Sequence, residues 1–424
     1  MTSDDDLKNI ATNPNCVDDY DPNSMQVNKA RAFIRQFLNP VSEYESITLR
    51  ESLGRVLAAD IISPANVPNY NNSAMDGFAL KASDITTPNL KVVGTAFAGV
   101  AFDGEVSDGE CIRIMTGAVM PTGADTVVMQ ERTRVEGQFI SITEAPKAYA
   151  NVRYAGEDLK LGQPVLQLGR LIRPADLGLI ASLGVADVHV YRKLKVAFFS
   201  TGDELVGVGQ ALKTGQVYDS NRYTLFGMLT KLGVEVIDMG AIADDPALLE
   251  STLLSAAAQA DVVITSGGVS VGEADYMKML LAKHGQVMFW KIAMKPGRPL
   301  AYGKVKNAHY FGLPGNPVAV MVTFYQFVRD ALLKLMGQIH PTPLPMFEVQ
   351  CTQDIKKLAG RTEFQRGILF TDTDGVWRVK PTGEQGSAIL SSMSLANCFI
   401  VLDDAIGNLE AGATVKVQVL DGII

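Results

Sequence analysis

Apolar residues in the first 150 positions follow a helical spacing and then a strand-like spacing. Between residues 30 and 38 they recur every three or four positions, the period of one helix face, and Pro40 ends that run. Between residues 61 and 149, short strand-like runs are separated by Gly, Pro and Asp, which is typical of a small β-rich domain. The acidic stretch 1–24 has no apolar period, so we expect a disordered lead there.

From Lys195 onward, strand patterns alternate with helix patterns. Apolar runs at 195–200 and 261–265 are each followed by polar loops and helical spacing, and a long helix is predicted over 317–336. This alternation predicts an α/β domain with a doubly wound parallel sheet, covered by helices on both faces. After residue 338 short strands and Gly turns return, and they predict a small C-terminal β-barrel.

Composition narrows the class of protein. The 424 residues are 47% hydrophobic and 20% charged, which is globular composition with material for two to four domains. A net charge of −8 argues against a general nucleic-acid-binding surface. The four Cys lie far apart and only four His are present, which argues against disulfide frameworks, structural zinc and iron–sulfur clusters. With no signal-peptide or membrane-span pattern, we expect a soluble, cytoplasmic protein.

Acids and glycines follow the predicted strands, at the edge where a parallel sheet binds ligands. Glu204 follows the first strand and Asp244 the second. Residues 266–275 follow the third and hold three Gly, two Ser and two acids, more than a strand–helix turn needs. Free N–H groups beside a helix start suit an anion. For Asp245, directly before Pro246, helix capping alone is the simpler interpretation.

A cationic segment lies between the fourth and fifth predicted strands. Lys291, Lys295 and Arg298 fall within eight residues of an otherwise acidic chain, which indicates an oxyanion site. The alternative is a solvated edge strand whose Lys residues prevent aggregation. Cations beside acids suit a ligand with phosphate and a divalent cation, and magnesium prefers carboxylates together with phosphate oxygens. The polar segments 71–78 and 115–121 are read either as turns or as functional loops.

Ten motifs in order give the chain a family resemblance from about Met25 to its C-terminus. They are NNSAMDGFAL, IMTGAVMPTGADTVVMQE, AGEDL, FSTGDEL, GQVYDSNRYTL, SGGVSVGEADY, KIAMKPGRP, LPGNPVAVMVTFYQ, GRTEFQRG and QGSAILSSMSLANCFIVL. Together they resemble the MoeA family of molybdopterin molybdenumtransferases, which includes the E domain of gephyrin. The resemblance implies elongated homodimers with the active site at the dimer interface. It also implies four domains: domain I (25–60 with 150–192), the β-rich insertion domain II (61–149), the α/β molybdopterin-binding domain III (193–337) and the β-barrel domain IV (338–424).

The implied reaction inserts molybdate into adenylylated molybdopterin with Mg²⁺, which forms molybdenum cofactor and releases AMP. The implied catalytic residues are Asp76, Asp158, Glu204, Asp275 and Lys291. The implied substrate-binding residues are Thr116, Ser266, Gly267, Gly268, Ser270, Lys295, Arg298, Pro314, Gly315, Asn316, Pro317, Arg361, Arg366 and Ser387. The implied metal ligands are Glu204, Asp244 and Asp275. Molybdate is a dianion, so Lys295 and Arg298 suit it, with Ser387 and either Arg361 or Arg366 helping.

Three positions depart from the family pattern, and two other functions compete. Ala319 and Ala388 stand where many members have Ser and His, and Phe78 replaces a usual Tyr. One rival is a non-catalytic scaffold, which retention of the acids and lysines disfavours. The other is molybdopterin adenylyltransferase, which resembles domain III alone and lacks the flanking motifs. That enzyme and molybdoenzyme-maturation proteins are possible partners, whereas nucleic acid and membrane are not expected.

Overall fold

A computed structural model describes residues 24–268 and 276–420. These form two compact units: a smaller unit, Ser46–Val190, and a larger unit that combines residues up to Glu45 with those from Tyr191 onward. Ser270, Asp275 and all of the predicted lead except Ser24 lie outside the described residues.

Eight α-helices and 26 strands fall within those residues. The helices are α1 Val27–Gln36, α2 Pro174–Ser182, α3 Ser220–Leu232, α4 Pro246–Gln259, α5 Tyr276–His284, α6 Pro317–Thr323, α7 Arg329–Leu335 and α8 Leu390–Leu395. Strands up to Tyr191 are β1 Tyr44–Thr48, β2 Ile61–Ile62, β3 Asn72–Ser73, β4 Gly77–Leu80, β5 Leu90–Ala96, β6 Glu110–Ile114, β7 Thr126–Met129, β8 Thr133–Glu136, β9 Phe139–Ile142, β10 Val152–Arg153, β11 Pro164–Leu166 and β12 Asp187–Tyr191. The others are β13 Lys195–Thr201, β14 Leu205–Val206, β15 Val217–Tyr218, β16 Glu235–Ile242, β17 Val262–Ser266, β18 Gly285–Lys291, β19 Met294–Lys295, β20 Pro299–Val305, β21 Ala308–Leu313, β22 Met346–Cys351, β23 Thr362–Thr371, β24 Trp377–Pro381, β25 Cys398–Leu402 and β26 Thr414–Val419.

The smaller unit is built around a six-stranded sheet in the order β7-β4-β6-β5-β9-β8. Its two faces bury different apolar clusters because successive strand side chains point to opposite sides. Phe78 and Leu80 pack with Val128 in one cluster, while Ala79 packs with Ile112 in the other. The predicted β-rich character of this region is therefore confirmed. A further core surrounds helix α2.

The larger unit contains a six-stranded sheet in the order β16-β13-β17-β21-β20-β18. The first four strands are parallel, and every residue of β17 and β21 is buried. Such continuous burial requires helices over the sheet, and α4 and α5 supply Leu249, Leu253 and Leu281 to the core on Ala197 and Phe199. The predicted α/β class is confirmed.

Strand β20 pairs antiparallel with both of its neighbours, β21 and β18, which the sequence pattern did not indicate. Strand β20 was not predicted from the sequence, because it begins at Pro299 shortly after Gly297, and both residue types are uncommon inside strands. Only two residues separate β20 from β21, and the first of them, Lys306, has a φ of 53°. A two-residue connection joins antiparallel strands, whereas parallel strands need a long crossover.

The C-terminal strands close into a five-stranded barrel in the order β23-β24-β22-β26-β25, and β25 pairs back onto β23. Val349, Leu369, Val379, Ile400 and Val417 fill its core. The short strand β19, from outside the barrel, pairs in parallel with β23. The predicted β-barrel is confirmed, and β19 ties the cationic segment to it.

Candidate functional site

A cleft of about 1510 Å³ lies in the larger unit, at the carboxyl ends of the parallel strands. It brings together thirteen residues predicted from the sequence. They are Glu204, Asp244, Ser266, Gly267, Gly268, Lys295, Arg298, Pro314, Gly315, Asn316, Pro317, Arg361 and Ser387. This is where a doubly wound sheet is expected to bind its ligand.

The loop after β17 needs glycine for steric and conformational reasons. Gly267 and Gly268 have φ values of 91° and 67°, in the left-handed region that favours glycine. A Cβ on Gly267 would lie 2.7 Å from the carbonyl oxygen of Thr201. The backbone therefore runs unusually close to the end of β13, on the floor of the cleft.

Acidic side chains concentrate where β13 and β16 end. Glu204 and Asp244 line the cleft, and the Asp244 N–H donates to Asp203 Oδ1 at 3.0 Å. Partial burial, followed by the charges of Asp203 and Glu204, raises the pKa of Asp244 above its ordinary value. Negative charge on Asp203 and Glu204 therefore adds to burial in disfavouring the ionised form of Asp244, a situation that a bound cation relieves.

Three cationic side chains, Lys295, Arg298 and Arg361, line the same cleft as these acids. Pairing of β19 with β23 sets Lys295 opposite Glu363 in the strand ladder. Arg361 Nε lies 3.6 Å from Glu363 Oε1, a carboxylate that is only 4% exposed. The barrel strand thus brings the arginine and the lysine segment together.

Lys291 is placed differently from Lys295. It is the last residue of β18, it is half-buried, and it is not among the residues that line the cleft. The chain turns after it, because the Ile292 N–H donates to the Arg298 carbonyl at 2.7 Å. The extended strand that would have put both lysines on one face is therefore interrupted, and a catalytic role for Lys291 stays a prediction.

Ser387 is seated against the start of helix α6. The Asn316 Nδ2 donates to Ser387 Oγ at 3.0 Å, and the Val318 N–H donates to the Ser387 carbonyl at 3.1 Å. Ala319 also lines the cleft and offers it only a methyl group. The hydroxyl of Ser387 is thus held in the cleft by Asn316, which follows strand β21 of the sheet.

Asp76, Thr116 and Asp158 lie in the smaller unit. Asp76 Oδ1 accepts hydrogen bonds from the Thr116 N–H and Oγ1, both at 2.7 Å. These bonds, the backbone one first, lower the pKa of Asp76. Asp158 is exposed, and its N–H donates to the Val67 carbonyl at 3.0 Å. The two polar segments that the sequence left open therefore meet through Asp76 and Thr116.

Three family models cover most of the chain: MoeA N-terminal region (domain I and II) over 25–184, probable molybdopterin binding domain over 197–334, and MoeA C-terminal region (domain IV) over 348–420. Molybdopterin molybdenumtransferase of Haemophilus influenzae is 47% identical over 93% of this chain and 98% of its own length. The chain belongs to the MoeA family.

Other MoeA relatives agree in sequence and in fold. Molybdopterin molybdenumtransferase of a Nostoc species is 36% identical over 86% of both chains, and Dictyostelium discoideum gephyrin is 34% identical over 91% of this chain and 61% of that protein. The crystal structure of the molybdopterin biosynthesis moeA protein from Pyrococcus horikoshii superposes with a TM-score of 0.81 at 29% identity. It covers 94% of this chain and 100% of that one, so the similarity extends well beyond the α/β domain.

The structure places Arg366, one of two arginines that the MoeA resemblance implied as a molybdate-binding residue, away from the cleft lining. Arg366 is 1% exposed and is not among the cleft-lining residues. Its guanidinium donates to the carbonyls of Glu384, Gln385 and Gly386 at 2.9 to 3.2 Å and to Ser392 Oγ at 2.9 Å. Burial lowers the pKa of Arg366 to about 10, so it stays protonated at neutral pH. Arg366 therefore holds the segment that leads into Ser387.

Replacing Arg366 with Ala is expected to lower the free energy of unfolding by about 2–4 kcal/mol, since three part-buried carbonyls and the buried Ser392 hydroxyl lose their donor. Urea denaturation followed by circular dichroism measures it. Arg378→Ala is the matched control, because Arg378 lies on the next barrel strand and pairs with Asp372 at a site 26% exposed. It should cost under about 1 kcal/mol. Equal losses in both variants would remove Arg366 from this structural role.

Two cleft residues in the MoeA motif GQVYDSNRYTL were missed by sequence reasoning. Asp219 and Asn221 line the cleft at the start of helix α3, yet no role was assigned to them. A usable signal was present, because both precede or begin a helix that follows the first strand of the sheet.

Within 24–268 and 276–420, no group of three His, Cys, Asp or Glu side chains suited to a metal occurs. Nor does any helix there have the length and apolarity to cross a membrane.

Proposed function

We propose that this protein inserts molybdate into adenylylated molybdopterin, forming molybdenum cofactor and releasing AMP. The observation that supports this most directly is the mixed charge of one cleft. Lys295, Arg298 and Arg361 offer donors to oxyanions, while Glu204 and Asp244 offer carboxylates to a cation. A ligand that carries a pyrophosphate and reacts with a dianion needs both kinds of group.

Each group has a distinct proposed role. Lys295 and Arg298 bind molybdate, with the hydroxyl of Ser387 and the guanidinium of Arg361 completing the donors. The N–H groups of the loop at Gly267 and Gly268 bind phosphate oxygens, as backbone nests do. The dithiolene sulfurs of the substrate supply the permanent molybdenum ligands. This agrees with the burial of Cys111, Cys351 and Cys398, whose thiols are therefore not offered to the metal.

Mg²⁺ is the proposed metal, and the described residues fit it in part. Glu204 and Asp244 would hold it, and it would neutralise the charges of Asp203 and Glu204, which together with burial raise the pKa of Asp244. Asp275 is the third predicted ligand and lies outside the described residues. Two carboxylates with substrate phosphate oxygens suit Mg²⁺. When bound, it polarises the phosphoanhydride and neutralises charge on departing AMP.

The deciding experiment adds molybdate to purified protein and adenylylated molybdopterin and follows AMP by chromatography. Release that depends on molybdate is expected. A scaffold would bind the substrate and release nothing. A molybdopterin adenylyltransferase would instead consume ATP and molybdopterin, so a parallel reaction with those two substrates separates that function.

We also propose a cytoplasmic homodimer in which both chains contribute to each active site, as the family resemblance implies. Mixing inactive Asp76→Ala and Glu204→Ala proteins, then letting subunits exchange, should restore about half of the wild-type activity per heterodimer. One site then carries both defects and the other carries neither. If exchange is confirmed and no activity returns, each chain builds its own site. Molybdopterin adenylyltransferase and molybdoenzyme-maturation proteins are proposed partners, testable by pull-down with the purified proteins.

A further inference from the structure

Two buried polar side chains line the cleft with hydrogen-bonding capacity left over. Asp219 is 3% exposed and Asn221 is 9% exposed. Among the residues that the structure describes, Asp219 Oδ2 and Asn221 Oδ1 have no hydrogen-bond partner. Burying such acceptors unpaired is costly, so their place at the cleft indicates that a ligand completes them.

Helix capping explains only one oxygen of Asp219. Asp219 Oδ1 accepts hydrogen bonds from the Arg222 N–H at 3.1 Å and from Ser200 Oγ at 3.0 Å. Asp245 caps helix α4 in the same way, through the Leu248 N–H at 2.8 Å, and it is exposed. A cap therefore needs neither the burial nor the second oxygen of Asp219.

The orientation of the Asn221 amide is fixed by its partners. Its Nδ2 donates to the Gly315 carbonyl at 2.7 Å and to Ser266 Oγ at 2.8 Å. A carbonyl only accepts, so the amide nitrogen must face Gly315 and Oδ1 must face elsewhere. Both unused atoms are consequently acceptors, and this part of the cleft selects for donors.

We propose that Asp219 and Asn221 recognise the amino edge of the pterin ring, which carries the 2-amino group beside the ring N3–H. The identity of the ligand rests on the proposed function. That edge presents two adjacent donors and no acceptor, which matches a carboxylate and an amide oxygen. A ring with an oxo group in place of the amine sets an acceptor against the buried Asp219 carboxylate and is disfavoured.

The test compares the binding of pterin with that of lumazine, in which a 2-oxo group replaces the amine. Ligand-observed NMR with the full chain gives both affinities. The wild type should bind pterin at least about tenfold more tightly, since a charge-assisted hydrogen bond is lost with lumazine. Asp219→Asn keeps the shape and the cap, and it should bring the ratio close to one. Asp245→Asn, the matched cap variant, should keep the wild-type ratio.

Equal affinities in the wild type would overturn the proposal, as would no binding of either ring at millimolar concentration. An unchanged ratio in Asp219→Asn, with its melting temperature intact, would overturn it too. The wild-type comparison needs no variant, so poor folding of Asp219→Asn leaves the test decisive. AMP release with no preference between rings contradicts this inference alone, whereas a pterin preference without AMP release contradicts only the proposed reaction.

Discussion

Replacing Glu204 with Gln is expected to reduce Mg²⁺-dependent AMP release by about 100-fold or more, because one proposed ligand charge is lost from the metal site. Glu204 is exposed at the cleft and Gln keeps its shape, so the fold should remain intact. Initial rates of AMP release over a Mg²⁺ titration measure the effect. Near-normal rates at low Mg²⁺ would remove Glu204 from the site.

The neighbouring Asp203 offers a matched control. Asp203→Asn removes an equal charge one residue away, but Asp203 does not line the cleft and its Oδ1 accepts the Asp244 N–H. We expect its rate of AMP release to stay within about threefold of the wild type, since charges screened by water act weakly. A loss as large as that of Glu204→Gln would show that general charge, and not metal ligation, matters.

The Glu204→Gln variant should also lower the pKa of Asp244. Burial and the charges of Asp203 and Glu204 raise the pKa of Asp244, so the folded protein holds that proton more tightly than the unfolded chain does. Stability from this group is therefore present at low pH and declines as pH rises from the ordinary pKa through the raised one. In Glu204→Gln the pKa of Asp244, followed by NMR without Mg²⁺, should fall. An unchanged pKa of Asp244 would show that the charge of Glu204 does not act on it.

Sequence pattern could predict the residues whose position depends only on their own loop. Gly267 and Gly268 were identified because three glycines exceeded what a turn requires, and their positive φ values show why. Glu204 and Asp244 were found because strand ends meet at one edge of a parallel sheet. The fold class and the position of these loops at the strand ends were therefore predictable from local sequence pattern.

Residues whose role depends on distant partners were harder to place. Lys291 and Lys295 are alike in sequence, yet only Lys295 lines the cleft, because the chain turns between them and pairs with a barrel strand. Arg366 resembled an anion ligand until its partners at 384–386 and Ser392 were known. No role was assigned to Asp219, since burial of its second oxygen is a tertiary property.

Replacing Lys295 with Ala is expected to raise the molybdate concentration for half-maximal AMP release by about 10- to 100-fold, as a hydrogen bond to a charged group contributes about 1.5–3 kcal/mol. The affinity for adenylylated molybdopterin, measured by calorimetry without molybdate, should change much less. Pairing with β23 holds the Lys295 backbone in place, so the variant should lose a charge without losing the segment's geometry.

Lys304→Ala is the control for net charge, because Lys304 is exposed on β20 of the same unit and does not line the cleft. Its molybdate requirement should match that of the wild type. If Lys295→Ala weakens molybdate and the adenylylated pterin equally, Lys295 serves the phosphates, and Arg298 with Arg361 becomes the molybdate pair. If Lys304→Ala reproduces the effect, a diffuse field attracts molybdate, and raising the ionic strength should abolish the difference between wild type and both variants, because salt screens such fields within about 10 Å.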